Sequence, residues 1–382
     1  MAFTSTRPAP AAKEIILTPV ITLEDVGDNV SISYLPDGKQ MISASWDKAV
    51  RRWDLQAGKE IEKSRKDCEY RVGAVAVSGN GRRVVTAGGN WLHGELTAWD
   101  VETGIVKTFQ GHSEEIICID ISADSMLLAS GSYDMTTRIW SLDTGKLVAG
   151  PFESAEWAAA IRFSPDSKKL AVNSWHADWL EFDASTLETV GAPFKGHTDI
   201  ITGLALSPDG ALVASASFNS TIKLWAFESR QLLASFHKGH EGCIRSVSYL
   251  PDGKQMISGS DDKTARRWDL KAGKEIEKAR KVCEYEVRAV AVSGDSRWVV
   301  TADGKQHYGP GELKAWEVDT EIVKTFHGHS KDSDIICMDI SADSMLLASG
   351  SRDGATRIWN LDTGNLAFNI AKSSGAVRFS PD

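Results

Sequence analysis

Residues 111–145 read GHSEEIICIDISADSMLLASGSYDMTTRIWSLDTG. Within them Ile116-Ile117-Cys118-Ile119-Asp120-Ile121 is an apolar, β-branched run followed by the turn cluster Ser122-Ala123-Asp124-Ser125. A second apolar run, Leu127 to Ser132, leads to a turn around Asp134, and Thr137 to Trp140 then alternates polar and apolar residues. Asp143-Thr144-Gly145 turns the chain towards a fourth strand. Short strands bounded by Asp, Ser and Gly clusters predict an all-β meander of tight hairpins. The first two runs are apolar on both faces, so they need cover on both sides.

The pattern recurs. Eight apolar runs end in an aromatic residue, at Trp53, Trp99, Trp140, Phe182, Trp225, Trp268, Trp316 and Trp359, with successive spacings of 46, 41, 42, 43, 43, 48 and 43 residues. A period in this range marks a repeat architecture. One four-stranded sheet cannot bury both of its faces, whereas copies stacked around an axis can, with only short protected edges left. No helical periodicity of useful length interrupts the series. The expected fold is all-β, a single eight-bladed β-propeller of four-stranded antiparallel blades, with seven blades plus extra repeat material as the alternative. The charged outer segments, such as Lys59-Glu60-Ile61-Glu62-Lys63, suit solvent-facing edges.

The bulk numbers narrow the function. The 382 residues are 42% hydrophobic and 25% charged, ordinary for a globular chain. A formal charge of −9 argues against a nucleic-acid partner. No apolar run is long enough for a helical membrane span, and the segment Met1 to Ala12 has no apolar core of a signal peptide. Cys68 with Cys283 and Cys118 with Cys337 are equivalents in separate repeats, too far apart for disulfides. The expectation is a reducing, cytoplasmic compartment.

Gly111-His112, Ser130, Asp134 and Trp140 together resemble the WD40 family. That resemblance implies a Gly-His before the innermost strand and a buried tetrad of His, Ser, Asp and Trp inside each blade. Buried polar groups of this kind have to satisfy one another. The same set recurs as His240, Ser258, Asp262 and Trp268, and as His329, Ser349, Asp353 and Trp359. A fourth set, His197, Ser215, Asn219 and Trp225, has Asn for Asp, so a neutral, weaker network is expected. The first repeat has Ser43, Asp47 and Trp53 without a His; the second and seventh lack Gly-His and carry long second hairpins, Gly88 to Gly94 and Asp303 to Gly311; the fourth has Phe182 in the Trp position.

A larger repeat lies above the small one. SISYLPDGKQMIS at Ser31 to Ser43 returns as SVSYLPDGKQMIS at Ser246 to Ser258, and the match runs on, with insertions, through Trp99 and Trp316 to Trp140 and Trp359. Arg162-Phe163-Ser164-Pro165-Asp166 returns as Arg378-Phe379-Ser380-Pro381-Asp382. The expected organisation is a flexible tail at 1–13, the propeller at 14–370, and the first strand of an unfinished ninth repeat at 371–382. The resemblance implies that one terminus supplies the outer strand of the closing blade, and residues 18–24 are favoured over 365–370. Near-identical repeats are also similar to the arrays of fungal NACHT-associated WD proteins, which implies a recognition surface.

Patterns for catalysis are missing: there is no GxGxxG after a strand, no GxxxxGK[ST], no GxSxG and no HExxH. No catalytic residue, cofactor or metal is expected. Four of the nine histidines fill Gly-His slots, and His93, His176 and His307 read as loop residues, with no Cys or acidic cluster at zinc spacing. By resemblance, the residue before the tetrad Asp points onto the top face around the channel mouth. Those positions hold Trp46, Tyr133, Phe218, Asp261 and Arg352, with Trp91, Trp175 and Tyr308 in the corresponding loops of the irregular repeats. Exposed aromatics and Arg are the side chains that anchor protein interfaces, although some can also tuck into hairpin packing. Glu114, Glu115, Asp199, Glu241, Asp332 and Asp334 are expected to make the same face negative and favour a basic partner. The basic stretches Lys63 to Lys66 and Lys278 to Lys281 read as charge protection of edge strands. The expected function is a non-catalytic scaffold that binds a protein or peptide; the alternative is a carbohydrate-binding propeller that uses the same rings as stacking platforms. Neither nucleic acid nor membrane is an expected partner, and the sequence does not give the oligomeric state.

Overall fold

The computed structural model describes residues 14–17, 21–23, 29–61, 69–153, 157–174, 179–183, 194–237, 239–276, 280–281, 283–304, 311–320, 322–329, 333–353 and 355–363. Among them every regular element is a strand and none is a helix. The strands form eight sheets. Seven of these carry four or five strands, and the eighth, built on Ala158–Phe163, Lys169–Ser174 and Trp179–Asp183, carries three among the described residues.

One sheet shows how sequence makes a blade. Asn29–Tyr34 turns through Leu35-Pro36-Asp37-Gly38 into Gln40–Ser45, because Gly38 adopts a left-handed φ of 64° that closes the turn with its N–H on the Leu35 carbonyl at 2.9 Å. Val50–Asp54 and Lys59–Glu60 complete an antiparallel sheet of four. The second strand is buried along nearly its whole length and the last is half exposed, the gradient expected from axis to rim.

The core is not one body but eight. A cluster of buried side chains lies in each gap between neighbouring sheets: Ile42, Val50, Val72 and Trp99 join the first to the second, and Leu96, Ile116, Leu128 and Trp140 the second to the third. The series runs on to Trp298, Leu313, Leu347 and Trp359 between the seventh and eighth. Ile32, Met41, Trp53, Ala348 and Ile358 then join the eighth back to the first. The ring therefore closes on apolar burial at every interface.

The N-terminal segment straddles that closure. Ile21–Leu23 pairs antiparallel with Thr356–Asn360 as the outer strand of the eighth sheet. Glu14–Leu17 pairs in parallel with Val323–Phe326 and adds a fifth strand to the seventh sheet. The parallel strand was not legible in the sequence, since a short run such as EIIL does not state its partner. The tail at 1–13, the competing segment 365–370 and the ninth-repeat strand at 371–382 lie outside the described residues.

Candidate recognition surface

The surface rests on the buried tetrads. In the third blade the Trp140 indole N–H donates to Ser130 Oγ at 2.8 Å, the Ser130 hydroxyl donates to His112 Nε2 at 2.8 Å, and His112 Nδ1–H donates to Asp134 Oδ2 at 2.8 Å. Burial lowers the His112 pKa and keeps the ring neutral, as this chain of donors requires. Burial alone would raise the Asp134 carboxyl, but hydrogen bonds from His112 and Thr136 hold it well below the usual range. The sixth blade repeats the set, with Trp268 on Ser258 at 2.8 Å, His240 on Ser258 at 2.7 Å and His240 on Asp262 at 2.9 Å.

The Asn variant runs the other way. Asn219 Nδ2 donates to His197 Nδ1 at 3.4 Å, which puts the imidazole hydrogen on Nε2, 2.7 Å from Ser215 Oγ. Trp225 still donates to Ser215 at 3.0 Å. Burial, aided by the charge of Lys223, pushes His197 down to about 4.

The eighth blade departs from the expected tetrad. His329 reaches Asp353 Oδ2 at 3.0 Å and Ser349 at 2.6 Å, but the buried Nε1 of Trp359 has no hydrogen-bond partner. Here the indole is held by ring contacts with Phe326 and His329, at centroid distances of 5.5 and 5.8 Å. Where His is lacking, other pairs fill the interior: Trp53 donates to Ser43 at 2.9 Å in the first blade, and Thr86 meets Thr97 at 2.7 Å in the second.

Each tetrad acid also builds the turn above it. Asp134 Oδ1 accepts the N–H of Thr136 at 2.9 Å, and Met135 between them sits at a left-handed φ of 62°. The residue before the acid is thereby placed at the tip. Its backbone is pinned, since Tyr133 donates its N–H to the Glu115 carbonyl at 3.0 Å, and Phe218, Asp261 and Arg352 make the same bond to Ile200, Cys243 and Asp334 at 2.9, 2.9 and 3.1 Å. One rigid frame thus presents Tyr, Phe, Asp or Arg without using their side chains.

The two long copies vary at this tip. Ile116 to Trp140 and Ile335 to Trp359 differ at four positions, and three of these are the tip and its neighbours: Tyr133 against Arg352, Met135 against Gly354, and Thr136 against Ala355. In the first and sixth blades Trp46 stands against Asp261 within strands that otherwise nearly coincide.

On the first four blades the tip side chains join into a belt. Trp91 stacks on Tyr133 at 5.3 Å and 27°, and Trp157 meets the other side of Tyr133 edge-on at 4.8 Å. Trp91 reaches across because its hairpin, Arg83–Asn90 and His93–Asp100 with a two-residue turn, lies flat on the loop before the third blade. Gly94 permits this contact: a Cβ there would stand 2.4 Å from the Glu114 carbonyl and 2.6 Å from His112 Cβ. The Arg71 guanidinium covers the Trp46 ring at 5.5 Å and pairs with Glu115 through Nε at 2.9 Å. Trp91 remains 63% exposed and Trp46 40%.

Farther round, Arg245 covers Phe218 at 4.7 Å and forks onto Asp261 at 2.7 and 2.6 Å. Arg352 approaches Asp334 at 4.0 Å. Trp175, Tyr308 and Asp332 lie outside the described residues, as do Lys63 to Lys66, Lys278 and Ala279. Arg280 belongs to a short strand paired with Thr264 and Ala265 and covers the Trp316 ring at 4.9 Å.

Two features correct the sequence reading. Glu115 is buried and ion-paired with Arg71, so it lends no free negative charge to the face, and Asp261 is neutralised by Arg245 in the same way. Trp157, Arg71 and Arg245 belong to the surface yet carry no repeat signature. Each stands at the start of an innermost strand, beneath or beside a tip of its own or a neighbouring blade.

The family model described as "WD domain, G-beta repeat" matches residues 18–54, 104–141, 188–226, 230–269 and 320–360. The chain is similar to "Cell division cycle 20.5, cofactor of APC complex" of Arabidopsis thaliana, 26% identical over 259 residues, covering 53% of this chain and 56% of that protein. It is 27% identical over 169 residues to "Small ribosomal subunit protein RACK1" of Candida albicans, covering 33% and 53% of the two. It is 25% identical over 214 residues to "Guanine nucleotide-binding protein subunit beta" of Nicotiana tabacum, covering 52% and 56%. The chain thus spans little more than half the length of these relatives. In fold it resembles the crystal structure of the computationally designed Ika8 protein, with a TM-score of 0.76 at 20% identity, over 90% of this chain and 99% of that one.

Proposed function

Because the chain belongs to the WD40 repeat family, whose model covers more than half of it, we propose that it is a non-catalytic scaffold that binds a protein or peptide on the top face of the propeller. The observation that carries this reading is the tip position, where one hydrogen-bonded backbone frame presents Tyr, Phe, Asp or Arg while the strands beneath are nearly repeated. A position whose side chain the fold does not need is free to serve a partner. Protein relatives whose names speak of a cofactor of a complex, a ribosomal subunit protein and a G-protein subunit point the same way.

The exposed rings favour a protein over a sugar. Trp91 and Tyr133 stack on each other, and Trp46 and Phe218 lie under arginines, so they form a mixed aromatic and guanidinium surface and not open platforms. Such surfaces supply the anchors of protein interfaces. The near-identity of the two long copies supports the closer likeness to fungal recognition arrays. The thiols of Cys118, Cys243, Cys283 and Cys337, held outside disulfides, support a reducing, intracellular setting.

The test is affinity capture from native lysate with the wild-type chain and with a Trp46→Ala, Trp91→Ala, Tyr133→Ala variant, each checked by its melting temperature. The reading expects a specific partner that the variant loses. If every captured partner survives the triple change, this belt is not the binding site.

A further inference from the structure

A cavity of about 540 Å³ opens on the seventh blade, with Glu284, Tyr285, Asp303, Glu312, Phe326 and His327 in its wall. Asp303 stands near the end of the second strand of that blade, Trp298–Gly304, and is fully buried. Its Oδ1 accepts the N–H of Glu312 at 2.5 Å and its Oδ2 that of Tyr285 at 3.3 Å. The carboxylate is therefore held in place, yet no described cation pairs with it; Lys314 pairs instead with Glu312 at 3.1 Å.

The second blade, the equivalent copy, shows what has been added. By strand register Gly88 stands where Asp303 stands, opposite Val72 as Asp303 is opposite Val287. There Glu95 accepts the N–H groups of Glu69 and Tyr70 at 3.1 and 3.2 Å. In the seventh blade Asp303 takes over the bond to Tyr285, so the site gains a buried carboxylate that the fold manages without in its other copy.

A second acid, Asp334, packs against the following residue, Gly304, with its Oδ2 4.0 Å from Arg352. The buried Oδ1 of Asp334, 3.1 Å from where a Cβ on Gly304 would stand, has no hydrogen-bond partner. A buried acid without a cation is costly, and burial pushes Asp303 up to about 6. The remaining wall is aromatic: the buried Phe326 and the half-buried Tyr285, faces that attract cations. Among the described residues no three His, Cys or acidic groups converge as a metal shell would require.

We propose that this cavity receives one basic side chain of a protein partner, the ammonium of a lysine or the guanidinium of an arginine, lodged beside Tyr285 and Phe326 with its charge drawn towards the buried Asp303 carboxylate. The proposal rests on the reading of the chain as a protein-binding scaffold and names the chemistry of one contact. The volume lies within the range of small-ligand sites, about 300–1,000 Å³. Among the described residues the ionisable groups around Asp303 are Glu284, Glu312 and His327 in the cavity wall, and Lys314, which is paired with Glu312, so the described wall carries more acid than base.

The test titrates the full chain with Nα-acetyl-arginine amide and Nα-acetyl-lysine amide and reads binding by calorimetry and NMR, with Nα-acetyl-citrulline amide as the uncharged isostere. The expected result is saturable binding of at least one basic probe, weakened tenfold or more by Asp303→Asn and by Asp303→Gly, the residue the other copy holds. Binding by the wild type should also weaken as pH falls through about 6, because protonation removes the charge on Asp303. Asp303→Asn leaves His327 in place, so it isolates the share of this dependence that belongs to Asp303. The proposal is overturned if neither basic probe binds, if citrulline binds equally well, or if both folded variants bind unchanged. The Trp46, Trp91, Tyr133 triple variant should bind the probes like wild type. Failure of the pocket would thus leave the aromatic belt standing, and failure of the belt would leave the pocket.

Discussion

Replacing Ser130 by Ala and Ser349 by Ala removes the same atom from equivalent places in the third and eighth blades, yet the two losses should differ. In the third blade Ser130 Oγ serves both Trp140 Nε1 and His112 Nε2, each at 2.8 Å. In the eighth blade Ser349 Oγ serves His329 Nε2 at 2.6 Å, while Trp359 Nε1 is already without a partner. A buried donor or acceptor left unmet costs about 1–3 kcal/mol. Ser130→Ala orphans two such groups and should cost about 2–6 kcal/mol, whereas Ser349→Ala orphans one and should cost about 1–3 kcal/mol. The surrounding rings are alike, since Trp140 meets Phe109 at 5.7 Å and Trp359 meets Phe326 at 5.5 Å, so packing losses largely cancel in the comparison. Equilibrium urea unfolding of the two variants, with hydrogen exchange at Thr136–Ser141 and Thr356–Asn360 as the local reading, measures the difference. Equal losses, within about 0.5 kcal/mol, would refute the claim that the indole bond is present in one blade and missing in the other.

Three further outcomes follow from the same geometry. His197 has a folded pKa near 4, below its unfolded value, so the unfolded chain takes up a proton that the native site refuses; stability should fall as pH drops from about 6.5 towards 4, by about 2 kcal/mol at pH 5. Asn219→Asp should shrink that loss in melts at pH 7 and 5, and an unchanged loss would count against the assignment. Gly94→Val should lift the second-blade hairpin from the loop before the third blade, separate Trp91 from Tyr133 and cost about 1–3 kcal/mol; tryptophan fluorescence that stays at its wild-type wavelength would show that the hairpin had not moved. Deleting residues 1–24 should strip the outer strand of the eighth sheet and the parallel strand of the seventh, and speed hydrogen exchange at Thr356–Asn360 and Val323–Phe326. Protection unchanged at both strands would mean that the segment does not close the ring.

The repeats and the all-β class could be read from the chain alone, because they depend on local pattern, period and turn residues; the tetrad residues came from the resemblance to the WD40 family, and in the eighth blade the Trp359 bond it implies is missing. The tip positions were named by the same resemblance, and the acid beside Tyr133, Asp134, does build the turn that carries it. Long-range choices were not legible. Nothing local says that Glu14–Leu17 runs parallel beside Val323–Phe326, that Arg71 spans Trp46 and Glu115, or that Trp157 closes on Tyr133. Those contacts join residues on different blades, and their energy exists only once the ring brings the blades together. The same holds for charge. Acidic loop residues suggested a negative face, but tertiary packing neutralised Glu115 and Asp261 with arginines from neighbouring strands and left Asp303 buried with no described cation paired to it. The sequence by itself determined how each blade folds; which side chains meet above the blades was decided by the ring, because that depends on distances between repeats that no local pattern encodes.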